Sequence, residues 1–145
     1  MTITTLYLPM IAMFCLTAII GMSMARLRFK AVSSGDLDGH YYRLNRGAET
    51  PEYLAKVSNN FDNLMATPIL FYIACIAITT SGFADIFNFT IAWLYVASRV
   101  AHSLIHTRSN HIVPRMRIFM ISLALLTTLW LSFTVYLLIS FNVKA

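Results

Sequence analysis

The sequence predicts an all-α membrane protein, a bundle of four transmembrane helices forming a single domain over residues 1–145, and three observations carry that expectation. The chain is 58% hydrophobic and only 12% charged, too apolar for a soluble fold of this length. Four runs nearly free of charge each approach the roughly 20 residues that cross a ~30 Å hydrocarbon core. The basic residues gather on one side: positions 26, 28, 30, 43, 46 and 56 lie between the first two runs, Arg108, Arg115 and Arg117 lie between the last two, and only Lys144 lies opposite. The positive-inside rule places both basic segments in the cytoplasm and both termini outside. Membrane strands are a poor alternative, because the runs lack strict apolar–polar alternation and are about twice the length of such a strand.

The first helix is expected over about 3–25, since Ile3 to Ala25 carries no charge. Its basic cluster, Arg26, Arg28 and Lys30, follows the apolar run, the reverse of a secretion signal, so this helix reads as a retained anchor. A polar cytoplasmic loop follows over 26–50, with Ser33-Ser34-Gly35, Gly39 and Gly47; loops of that length are commonly functional or mobile. Thr50-Pro51-Glu52 reads as an N-cap, a first-turn proline and an acid at the positive end of a helix dipole, so helix two is expected over about 51–80. Its early turns place Lys56, Asn60 and Asn63 on one face, and Pro68 lies just inside the apolar run, where a kink is expected.

Helix three, about 86–107, ends in Arg99-Val100-Ala101-His102-Ser103-Leu104-Ile105-His106. Arg99, His102 and His106 fall on one stripe. An arginine inside a membrane helix by default faces protein or water and marks a site, the alternative being that it snorkels to the headgroups. Helix four is expected over about 112–141. Cys15 and Cys75 lie inside apolar runs and read as small hydrophobes.

The chemistry these residues permit is limited. His102 and His106 have the spacing of a metal pair, but without a third ligand nearby no metal site is assigned. No acid lies at the bilayer midplane, which disfavours a proton-coupled transporter. No soluble basic domain exists for nucleic acid. What remains is a set of cations and amides at the cytoplasmic edge: Arg26, Arg28, Lys56, Asn60, Asn63, Arg99, Arg115 and Arg117. Such groups bind an anion. Arginine forks suit carboxylates, and a nearby cation favours the thiolate of a thiol, while anionic lipid headgroups fit the same set.

Four segments resemble the membrane-associated proteins in eicosanoid and glutathione metabolism, the MAPEG family, and in particular its bacterial branch. Arg26-Leu27-Arg28-Phe29-Lys30-Ala31 is similar to the basic end of the family's first helix. Asn60-Phe61-Asp62-Asn63 is similar to its second-helix segment, in which an Asn is followed three residues later by Glu. Arg99-Val100-Ala101-His102-Ser103 resembles its Arg-x-x-His-Thr/Ser pattern, and Pro114-Arg115 falls where its fourth helix begins with a catalytic arginine.

The resemblance implies a left-handed four-helix bundle assembling as a homotrimer in a bacterial inner membrane, with glutathione in a cleft between subunits near the cytoplasmic side. It implies that Arg26, Lys56, Asn60, Arg99 and His102 hold glutathione, with Asn63 where the family has Glu and His106 where a Tyr is common. Arg115 is implied as the catalytic residue that stabilises the thiolate. An acid of the first loop is implicated in some members, and Asp36 and Asp38 are nearest in spacing. Met116 and Phe119 replace the hydroxyl of some members. The expected function is a glutathione-dependent transferase or peroxidase acting on a lipophilic substrate. The alternative is a non-catalytic or differently specific membrane protein of the same fold that binds lipid or another anion.

Overall fold

The computed structural model describes residues 6–144. It consists of α1 (Tyr7–Ser33), a short 3-10 helix (Gly39–Arg43), α2 (Glu52–Thr80), α3 (Ile86–Thr107) and α4 (Ile112–Lys144), with no strand among the described residues. The helices form one bundle in which α1 packs chiefly on α2 and α3 chiefly on α4. Three of them, Tyr7–Ser33, Glu52–Thr80 and Ile112–Asn142, are long and apolar enough to cross a membrane by length and composition. α3 has 22 residues, about 33 Å of helix, and differs because Arg99, His102 and His106 dilute its hydropathy.

The expected start of the first helix at residue 3 lies outside the described residues, but its expected end near residue 25 is corrected. α1 continues to Ser33. Hydropathy falls at Arg26, whereas helix propensity does not, since Arg, Leu, Lys and Ala are all good helix formers. The stop comes at Gly35, whose φ of 79° lies in the left-handed region that glycine adopts freely. The chain then folds back, and the Leu37 amide donates to the Ala31 carbonyl at 3.0 Å. Leu37, Ala31 and Leu54 make a small core of their own against Leu27, Tyr41, Tyr42 and Tyr53. Most of the expected polar loop is therefore either helix or an ordered flap on α2.

The start of α2 also departs from expectation. Thr50 does not cap it; the Thr50 hydroxyl meets the Tyr41 hydroxyl at 2.8 Å, and the Pro51 carbonyl accepts from the Leu54 and Ala55 amides instead. α2 passes through the buried Pro68 as one continuous helix. At the opposite end, Asp85 caps α3 by accepting from the Asn88 amide at 2.8 Å.

The interior holds Met13, Leu64, Phe71, Ile78, Tyr95 and Leu129, with Phe71 and Tyr95 stacked at 4.5 Å between ring centroids. Ile11, Phe14, Leu131 and Leu138 lie on the exposed surface. Apolar side chains outside and inside alike mean that hydrophobic burial cannot select the packing in lipid, so close contact and interhelical hydrogen bonds must. The α3–α4 pair carries such bonds: the Ser98 and Ser122 hydroxyls meet at 2.9 Å, and Ser132 donates to the Asn88 side-chain oxygen at 2.7 Å. Each contributes on the order of 0.6 kcal/mol in a membrane setting. The α2–α3 turn is tied to α4 as well, through the Tyr136 hydroxyl, which donates to the Ser81 carbonyl at 3.1 Å.

Candidate functional site

Successive turns of α3 bring Tyr95, Arg99, His102, Ser103 and His106 onto its buried face, toward α2 and α4. Arg99 is fully buried, which rules out the snorkelling alternative within the subunit. Its Nη2 donates to the Asn63 carbonyl at 3.3 Å, and its guanidinium carbon stands 5.8 Å from the Phe119 ring centroid. Its Nε and Nη1 have no partner. Among the described residues the one ion pair joins Lys56 to Glu52 at 2.7 Å, so no carboxylate neutralises Arg99. A buried charge without a counter-ion costs several kcal/mol, which a structural role alone does not explain.

The two histidines flank this cation. His102 Nδ1 lies 3.3 Å from the Arg115 carbonyl oxygen. A carbonyl only accepts, so this contact puts the proton on Nδ1 and leaves Nε2, which is buried without a partner, as an acceptor in the neutral ring. His106 Nδ1 is likewise buried and unpartnered, and the two rings stand 5.6 Å apart edge to face. Among the described residues no group of three His, Cys, Asp or Glu side chains is placed to hold a metal ion.

α4 supplies Arg115. Pro114, whose fixed φ suits a first helical turn, precedes it, and Asn110 turns the chain from α3 at a positive φ of 51°. Arg115 Nη1 donates to the Asn110 side-chain oxygen at 2.5 Å. That bond uses one of five guanidinium donors and aims the half-buried side chain along the mouth of a cleft. The cleft, about 420 Å³, is lined by Asn63 from α2, His102 and His106 from α3, and Arg115, Met116 and Phe119 from α4. It lies within the size range of small-ligand sites. One cation, one amide and two imidazoles share the lining with the apolar Ile112, Met116 and Phe119, and no acid lines it.

The expected residues therefore divide. Asn63, Arg99, His102, His106 and Arg115 converge. Asn60 lies behind them, fully buried, accepting from the Ser103 hydroxyl at 3.3 Å with its own amide nitrogen unpartnered. Lys56 does not line the cleft; Glu52, four residues earlier, engages it. Arg26 is exposed on α1, away from the cleft lining. Asp36 accepts from the Tyr53 hydroxyl at 2.9 Å and Asp38 from the His40 amide at 2.9 Å, so both acids order the loop rather than reach Arg115. The bond from Tyr53, reinforced by Ser34, holds the Asp36 carboxyl below its usual range.

Sequence reasoning overlooked Asn110, the partner of Arg115, and Tyr95, one turn before Arg99, whose hydroxyl is buried without a partner. The signal for Tyr95 was available in its spacing from Arg99; that for Asn110 was not, because the turn geometry sets it.

No curated protein and no solved structure matches the chain. The family model described as MAPEG matches residues 6–135, from α1 into α4, taking in the buried Arg99 and the cleft of Arg115, and the chain belongs to the MAPEG family of membrane proteins.

Proposed function

We propose that the protein is a glutathione-dependent transferase or peroxidase that acts on a lipophilic substrate at the cytoplasmic face of a bacterial inner membrane. The family includes such enzymes, and the observation that carries the reading for this chain is the uncompensated Arg99 behind a cleft edged by Arg115. A ligand carboxylate in the cleft supplies the missing counter-ion to Arg99 from across the Asn63 and Phe119 wall, and where that wall parts to admit it, charge-assisted bonds to the unpartnered donors are worth about 1.5–3 kcal/mol each. Arg115, with four donors uncommitted, stabilises the glutathione thiolate. The thiolate sulfur then attacks the electrophile, whose leaving group departs with the bonding electrons while the thiol proton passes to solvent. Met116 and Phe119 form the wall against which a lipophilic partner packs.

Arg26 lies exposed on α1, apart from the cleft lining, and a homotrimer accommodates it by bringing the α1 of a neighbouring subunit to the cleft. A second reading is favoured by the cleft's lack of any acid: with Asn63 in place of a carboxylate, an anion without an ammonium group, such as a lipid phosphate, fits equally. Calorimetry of the detergent-solubilised protein with glutathione separates the two. Saturable binding weakened by Arg115→Ala supports the thiol reading; no heat at millimolar glutathione rejects it and leaves the anion reading.

A further inference from the structure

A second cavity, about 270 Å³, opens beside α2, between that helix, the end of α1 and the folded loop. Arg28, Tyr42, Asn45, Ser58, Asn59 and Asp62 are among its walls. It shares no lining residue with the cleft of Arg115. Its frame is built: the Arg28 guanidinium carbon sits 5.5 Å from the Tyr42 ring centroid, and the bond between Tyr41 and Thr50 closes the loop over α2. Two polar atoms here are buried without any partner, Arg28 Nε and the Tyr42 hydroxyl. Asp62 is exposed at the same cavity and makes no ion pair with Arg28.

A cation and an anion that share a cavity without meeting, beside orphaned donors and the amide of Asn59, complement a ligand carrying opposite charges at its two ends. We infer that this cavity binds the zwitterionic headgroup of a phosphatidylethanolamine-type lipid, its phosphate on Arg28 and Tyr42 and its primary ammonium on Asp62 and Asn59. The depth favours a lipid over a free zwitterion. The uncharged run of α1 ends at Ala25, so Arg28 lies about 5 Å further along the helix, at headgroup level. Beside the cavity residues in sequence, Phe29 is 79% and Leu44 77% exposed, apolar side chains suited to acyl chains rather than to water.

The test is lipid retention by the intact protein, measured by native mass spectrometry after exchange into matched-chain phosphatidylethanolamine, phosphatidylglycerol or phosphatidylcholine. Wild type is expected to retain phosphatidylethanolamine at least fivefold better than either other lipid, because phosphatidylglycerol lacks the cation and phosphatidylcholine lacks N–H donors. Arg28→Gln is expected to lose all three. Asp62→Asn, at an exposed position where folding is not at stake, is expected to lose the preference while keeping phosphatidylglycerol, and Tyr42→Phe to weaken retention severalfold. Arg115→Ala leaves the preference unchanged. Equal retention of the three lipids by wild type overturns the inference, as does a preference untouched by Asp62→Asn. Displacement by free phosphoethanolamine at micromolar concentration replaces the lipid with a soluble zwitterion and overturns the lipid assignment.

Discussion

Two cavities flank α2 near the same end of the bundle, and they differ in how charge is balanced. The cleft of Arg115 holds one lining cation, Arg115, with the buried Arg99 behind its wall and no acid, whereas the loop cavity sets Arg28 and Asp62 across one space. The two cavities therefore differ less in the number of their cations than in where the nearest carboxylate stands. At the cleft, Asn63 offers Arg99 only a backbone carbonyl, and no acid lines the space. The charge is left for a ligand to complete.

The strongest way to break this contrast is to remove the buried cation. Arg99→Met is expected to weaken glutathione binding about 100-fold or more, the equivalent of two charge-assisted hydrogen bonds. The same change is expected to raise the thermal stability of the ligand-free protein, since replacing an unpaired buried charge with a hydrophobe of similar volume removes its desolvation cost. Calorimetry and a thermal melt read the two effects. A variant that binds glutathione normally, or that melts earlier while still inserting in the membrane, means that Arg99 is structural.

Arg115→Ala is the next largest. If Arg115 stabilises the thiolate in the transition state, kcat falls by about 10²–10³ while KM changes little, as for the loss of one preorganised donor at a developing charge. Equal losses in kcat/KM and in binding reduce Arg115 to an anchor. Asn110→Ala, which frees the Arg115 side chain without removing it, is expected to lower kcat less than Arg115→Ala does and to leave ligand binding nearly intact.

Asn63→Glu sharpens the comparison by giving the cleft the acid that the loop cavity already has. Its sign distinguishes ligands: glutathione, which carries an ammonium, is expected to bind about tenfold tighter, whereas a purely anionic ligand is expected to bind about tenfold weaker because the new carboxylate competes for Arg99. Isothermal titration with glutathione and with a soluble phosphate monoester reads the difference. Weakening of both means that the glutamate occupies the site as an internal counter-ion.

Much of this was legible before the structure, for identifiable reasons. Long apolar runs report bilayer crossing because the solvent itself enforces them, and the stripe of Arg99, His102 and His106 follows from helical spacing alone. The pairing of Lys56 with Glu52 was legible too, since the same helical spacing that puts Lys56 on a face with Asn60 puts Glu52 one turn before it. Thr50 was misread as a cap because a threonine before Pro-Glu suits one, while its actual partner, Tyr41, lies across a fold of the loop that no local rule encodes. The loop cavity was not legible at all. It depends on α1 running past its apolar segment to Ser33 and on Leu37 turning back onto Leu54, both tertiary outcomes.

That fold-back yields the smallest and most local expectation. The Asp36 carboxylate is held in its charged form chiefly by the hydrogen bond that Tyr53 donates, so its folded value lies below the ordinary one. A carboxyl depressed in this way contributes to order that is fully present above its unfolded value and is lost only as pH falls through the folded value. The loop over residues 34–46 is therefore expected to keep its protection between pH 7 and pH 5 and to loosen only in acid, below about pH 4. Amide hydrogen exchange at Leu37, whose bond to Ala31 depends on the fold-back, reports this directly. In Tyr53→Phe the loop should exchange faster at neutral pH and lose its acid-dependent step, while exchange in α3 stays unchanged. If Leu37 in wild type loosens already between pH 7 and pH 5, the Asp36–Tyr53 bond does not govern the order of the loop.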